Sequence, residues 1–243
     1  MGIDYRTVIV EQSSAMVDIV RAGPLDARVP GCPDWSLGDL AIHLGGIQRW
    51  ATAIVTTGER PTVGLVTPDD PSTAAEFLAT GTAPLVAALD AADPDAPCWN
   101  FTGQHKTLRF WPRRQALEVA CHRWDAESAV RTDPTPIAAE VAADVIDEFV
   151  HLLLRRAVTR DKVDLTPLAG DVHLHCTDTA GEWTFEAADG ELKVTDSHTK
   201  AAAAVRGPAS DLALFLLNRL PADRVEVFGD RALVQRWLDL VRF

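Results

Sequence analysis

The apolar residues of this 243-residue chain change period once, near Leu165-Thr166-Pro167, and that switch limits what it can fold into. Upstream, long segments read as helices over residues 6–20, 36–57, 72–92, 111–130 and 137–159. Pro84, inside the third, predicts a kink or the start of a new segment. In the fifth, Val141, Val145, Phe149, Leu152 and Leu153 form an apolar face. Downstream, Val172, Leu174 and Cys176 alternate with His173, His175 and Thr177, and short strands are expected at 182–186, 192–195 and 202–206, with turns at 178–181 and 188–190. A helix over 208–220, a strand at 225–228 and a final helix from Asp230 follow. The fold class is therefore α plus α+β, with a helical domain over 1–163 and a small α+β domain over 164–243.

Composition narrows the function. With 23 basic against 35 acidic residues the formal charge is −12, which argues against a surface that tracks nucleic acid. The N-terminus carries Asp4, Arg6 and Glu11 where a secretory signal would be apolar, and no stretch is long and apolar enough for a membrane helix. The cytoplasm is the expected location. Cys32, Cys98, Cys121 and Cys176 are dispersed without a CxxC pair, so they read as free thiols.

Within the second helix, Leu40, His43, Ile47, Trp50 and Ile54 share one stripe, which puts an imidazole in the middle of a buried face. Such a histidine is either a hydrogen-bonded core residue or a metal ligand. Glu118 and His122, four apart on the fourth helix, are either a surface ion pair at the edge of its apolar face or two further ligands. Two imidazoles and a carboxylate would leave a metal position open. His173 and His175 share a strand face, but no third donor is evident from spacing, and a half-exposed strand explains them; His198 has no ligand-like company. Arg113-Arg114 reads as a solvated basic pair, and Trp50, Trp111 and Trp124 as packing residues.

The run Asp34-Trp35-Ser36-Leu37-Gly38-Asp39-Leu40-Ala41-Ile42-His43-Leu44-Gly45-Gly46 resembles the second-helix signature of the mycothiol-dependent maleylpyruvate isomerase family, within the wider DinB-like superfamily. Glu118-Val119-Ala120-Cys121-His122-Arg123-Trp124-Asp125 is similar to that family's second metal-binding segment, and Leu174-His175-Cys176-Thr177-Asp178, Val205-Arg206-Gly207-Pro208 and Val225-Glu226-Val227-Phe228-Gly229-Asp230 extend the likeness to the C-terminal part. The resemblance implies a DinB-like four-helix bundle followed by a sterol-carrier-like α+β domain. It implies four bundle helices against the five read from the residues; either Pro84 separates a short connecting piece, or the first and third segments divide differently. It also implies a divalent metal, zinc in most relatives, held by His43, Glu118 and His122.

The activity so implied uses mycothiol as a thiol cofactor. The metal stabilises the thiolate, which adds to the cis double bond of maleylpyruvate or a similar unsaturated acid, permits rotation and is eliminated. With another small-molecule electrophile the same thiolate would be transferred. Asp125, a turn beyond His122, either orients an imidazole or is a solvated charge. Arg219 resembles a family position near the active site, where it would hold a substrate carboxylate; the alternative is a cation at a helix C-terminus. The rival to an enzyme is a non-catalytic binding or regulatory protein stabilised by a structural metal.

Overall fold

A computed structural model of the chain describes residues 2–161, 164–168, 170–188 and 190–240. It divides into two units, Met1–Thr135 and Pro136–Phe243. The first is built on four helices, α1 (Tyr5–Ala22), α2 (Leu37–Thr57), α3 (Ala74–Ala91) and α4 (Phe110–Val130). Asp4 caps α1 by accepting from the amides of Arg6 and Thr7, and Ser36 with Asp39 closes a capping box on α2. Met16, Val17 and Val20 of α1, Leu37, Leu40 and Leu44 of α2, Leu78 of α3, and Val119 and Ala126 of α4 interlock in the core. A short hairpin of β1 (Arg28–Val29) and β2 (Cys32–Ser36) fills the link before α2. The sequence marks that link only as broken chain, because two-residue pairing is too short to show alternation.

Helix α3 runs unbroken through Pro84, where the sequence predicts a kink or a new start. A mid-helix proline costs roughly 3 kcal/mol, but Gly81, Leu85 and Leu89 are buried on both sides of it against α1 and α2, and that packing keeps the helix whole. This leaves four bundle helices rather than five.

The fifth predicted helix belongs to the second unit. It begins as α5 (Ala139–Glu148) and continues through π-helical turns at Phe149–Leu153 and Ala157–Asp161. The division at 135/136 thus differs from the 163/164 boundary expected from sequence. The change of period marks where strands begin, whereas the boundary is set by the core that the apolar face of α5 joins. That face packs on a helix of the second unit, α6 (Ala209–Leu216), and the Ile137 amide donates to Ser210 Oγ at 3.0 Å.

The sheet comprises β3 (Gly170–Cys176), β4 (Glu182–Ala188), β5 (Glu191–Thr195), β6 (Ala203–Gly207) and β7 (Glu226–Gly229), in spatial order β5-β4-β3-β6-β7. Only β3 and β6 run parallel; the other pairs are antiparallel. Register divides the faces. Val172 opposes Phe185 and Leu174 opposes Trp183, and Phe185 meets Trp237 of the last helix, α7 (Arg231–Leu240), with ring centroids 4.7 Å apart. His173 opposes Thr184 and His175 opposes Glu182 on the other face. At the turn after β7, Gly229 has φ +74°, and an added Cβ would collide with the Ala202 carbonyl, so glycine is required. Helix α6 ends four residues before the predicted Leu220. Asn218 takes a left-handed φ of 59°, while the amides of Asn218 and Arg219 return to the carbonyls of Phe215 and Leu214, forming a Schellman stop. Among the described residues no helix is long and apolar enough to cross a membrane.

Candidate metal centre

The capping box sets where α2 begins, and so where His43 stands, about two turns in. Asp39 N–H donates to Ser36 Oγ at 3.2 Å and Ser36 N–H to Asp39 Oδ2 at 2.9 Å. The amides of Leu37 and Gly38 donate to the carbonyls of Ala27 and Leu25, seating this end of the helix on the preceding loop. Trp35, the last residue but one before the helix, lies over the His43 ring at 4.7 Å between centroids. In the sequence Trp35 stands out only as a member of the second-helix motif, and its place beside the Ser36 N-cap is the local signal for its position.

His43 is not in the middle of the buried face. Its side chain keeps 23% exposure, and Ile47 and Trp50 on its stripe are half-buried, while Leu40 and Ile54 at the ends of the stripe and Leu44 and Ala51 beside it are fully buried. Only the middle of the stripe, from His43 to Trp50, reaches solvent. Ile47 and Trp50 line a cleft of about 330 Å³ bounded by residues 60–65.

Helix α4 brings the other donors. Glu118 and His122 stack at i and i+4, with side chains only 15% and 11% exposed, so the surface ion-pair alternative does not apply. Glu118 Oε1 lies 3.5 Å from His43 Nε2 and 3.4 Å from His122 Nε2, and the two imidazoles meet edge to face at 5.3 Å. One donor atom from each of the three lies within 4.8 Å of the others. Asp125, fully buried, stands 3.0 Å from His122 Nδ1. An ionised Asp125 would accept from Nδ1–H, the tautomer that turns the Nε2 lone pair toward Glu118 and His43. The solvated-charge alternative for Asp125 is thereby removed. Arg114, expected in solvent, pairs with Glu118 and has a side chain 16% exposed.

Burial above all, then electrostatic repulsion toward a protonated ring from the His122 and Arg114 side chains, pushes the His43 imidazole down to about 4. At neutral pH this ring is uncharged, the form that binds a metal. Two imidazoles and a carboxylate, drawn from two helices and with one ring held beside a buried acid, are a donor set that fits a divalent transition-metal cation.

Arg219 lies in the second unit at the end of α6, where its Nη1 donates to the Leu217 carbonyl at 3.0 Å, the arrangement of a helix C-terminal cation. Cys121 is buried within α4, and burial, then the charge of Asp178, pushes the Cys176 thiol up to about 12, leaving it protonated. Trp111 and Trp124 are buried packing residues; Trp50 is half-buried and packs edge to face on Trp99 and Trp111.

Comparison with known proteins gives the family. Residues 7–127 match the model of the mycothiol maleylpyruvate isomerase N-terminal domain, and residues 140–236 match that of the MDMPI C-terminal domain. A crystal structure of the mycothiol-dependent maleylpyruvate isomerase superposes with a TM-score of 0.64 at 15% identity, covering 92% of this chain and 91% of that one. A histidine-to-alanine mutant of the isomerase superposes with a TM-score of 0.63 at 13% identity, with the same coverage. None of the curated proteins matches the chain significantly. With both domain models matched in order over nearly its whole length, and a bundle followed by an α+β unit as in those structures, the chain belongs to the mycothiol-dependent maleylpyruvate isomerase family.

Proposed function

We propose that this protein is a metal-dependent enzyme that uses mycothiol to isomerise a cis-unsaturated acid of the maleylpyruvate type, with His43, Glu118 and His122 holding one divalent cation of the zinc class. The approach of these three donors within 4.8 Å, from two helices, is the observation that carries the reading. A cation on such a set supplies Lewis acidity toward a thiol at its remaining position, and reversible thiol addition is what frees a cis double bond to rotate.

The side chains around it have separable tasks. Asp125 holds His122 in the tautomer that directs Nε2 to the cation, which makes it a positioning residue. Arg114, paired with Glu118, offsets part of that carboxylate's charge and restrains its rotamer. Trp35 covers the His43 ring and keeps water from that side. The cleft along Ile47 and Trp50, two residues of the His43 stripe, is proposed to take the body of thiol or acid. For Arg219 the proposal of a carboxylate clamp rests on the family resemblance; one of its hydrogen bonds goes to the Leu217 carbonyl just past the end of α6.

Metal analysis of the full chain, combined with mycothiol-dependent conversion of maleylpyruvate, tests the proposal. His43→Ala and His122→Ala should each lose about one cation per chain together with turnover. Full activity after chelation, or in either variant, overturns it. Consumption of mycothiol with an alkylating electrophile but not with maleylpyruvate would move the activity to S-transfer at the same centre.

A further inference from the structure

The sheet of the second unit gathers four potential ligands that spacing along the chain does not bring together. His173 and His175 stand two apart on β3, on the face turned away from Val172 and Leu174. Glu182 is the cross-strand partner of His175, so its carboxylate falls on the same face, and Oε1 lies 2.7 Å from His175 Nδ1. His198 arrives from the segment between β5 and β6. Thr184, also on this face, anchors that segment: its Oγ1 donates to the Ser197 carbonyl at 3.3 Å and lies 2.6 Å from Thr199 Oγ1. His198 Nδ1 comes to rest 2.9 Å from Glu182 Oε2.

One atom here is unexplained by protein contacts. The His173 side chain is 6% exposed, and its Nε2 is buried with no hydrogen-bond partner, yet it lies 3.5 Å from Glu182 Oε2 and faces the other donors. An orphaned polar atom costs about 1–3 kcal/mol, and a ligand at the point it faces would remove that cost. One donor atom from each of the four residues lies within 4.8 Å of the others. The rings of His175 and His198 flank that of His173 at 6.1 and 5.0 Å between centroids, edge to face.

We infer that His173, His175, Glu182 and His198 form a second metal site, for a late first-row divalent ion such as zinc, nickel or copper, that ties the segment before β6 onto the sheet. Three imidazoles and one carboxylate suit this class rather than calcium or magnesium, which take oxygen ligands. Four protein donors complete a tetrahedral shell, so the site is structural, unlike the three-donor set of the bundle. The inference does not rest on the proposed activity.

Zinc binding to the full chain tests it. In a His43→Ala/His122→Ala background, which removes the bundle donors, equilibrium dialysis against zinc should still load about one ion per chain, and zinc should protect the amides of residues 196–202 from hydrogen exchange. Adding His198→Ala, a change at a side chain 76% exposed and so harmless to folding, should abolish both effects. No zinc in the background variant, or equal loading and protection with and without His198, overturns the inference. Loss of metal and turnover in the His43 and His122 variants is a separate result, so either site can fail alone.

Discussion

Asp125 shows how one buried carboxylate decides the chemistry of its neighbour. It has no solvent exposure, and as an ionised acceptor beside His122 Nδ1 it would keep the proton on that nitrogen and leave Nε2 to face His43 and Glu118. Asp125→Asn keeps the shape but replaces an acceptor-only group with an amide that can present either end to the ring. Metal affinity measured by chelator competition should fall about 10–100-fold, while helical circular dichroism at room temperature stays unchanged; an unaltered affinity would show that Asp125 only packs. At this scale the ligand types were legible, since His43, Glu118 and His122 each fall on a motif of the resembling family. Trp35 and Arg114 were not legible as site residues, because stacking on His43 and pairing with Glu118 depend on where the hairpin and α4 run in space.

Among the elements, α2 is the most local in origin. Its phase follows from the Ser36/Asp39 capping box, a signal contained in four consecutive residues. Ser36→Ala should cost about 1 kcal/mol in urea denaturation near neutral pH. The effect has a sign in pH as well. Hydrogen bonds from the Ser36 backbone and hydroxyl hold the Asp39 carboxyl below its ordinary value, so its stabilisation is full above the unfolded carboxylate pKa and lost as pH falls through the lower folded one. The part of the gap due to the Ser36 hydroxyl bond to Asp39 should therefore be lost in acid, so the gap between parent and variant narrows; a gap independent of pH would exclude the Asp39 contribution. Helix α4 is the opposite case. Its charges suggest a helix with a wet face, yet Arg123, Asp125 and Glu127 are all buried. Arg123 donates to Gln12 Oε1 at 2.8 Å and bonds the Thr135 carbonyl, and Glu127 receives the Thr135 amide and stands 3.3 Å from Arg123. Hydrophobic periodicity is blind to a helix whose polar groups are satisfied by partners outside it, one of them 111 positions away.

For the molecule as a whole, metal loading and stability are linked, because a ligand that binds only the folded state stabilises it by mass action. Zinc at about 100 times its dissociation constant should add roughly 2.7 kcal/mol, seen as a rise of several degrees in the melting temperature of the chelated protein and reversed by fresh chelator. An unchanged melting temperature would mean that the donor sets bind metal no better folded than unfolded. The sequence by itself determined most of the secondary elements and the order of a helical part before an α+β part, and it carries the three residues proposed for the bundle centre. These are written in local periodicity, caps and short motifs. Only the tertiary structure decided that α3 survives Pro84, that α5 joins the second core, that α4 is buried despite its charges, and that His198 comes to meet His173, His175 and Glu182. Each of these depends on packing or pairing between segments distant in sequence, and the free energy of those contacts has no signature in any single stretch of chain.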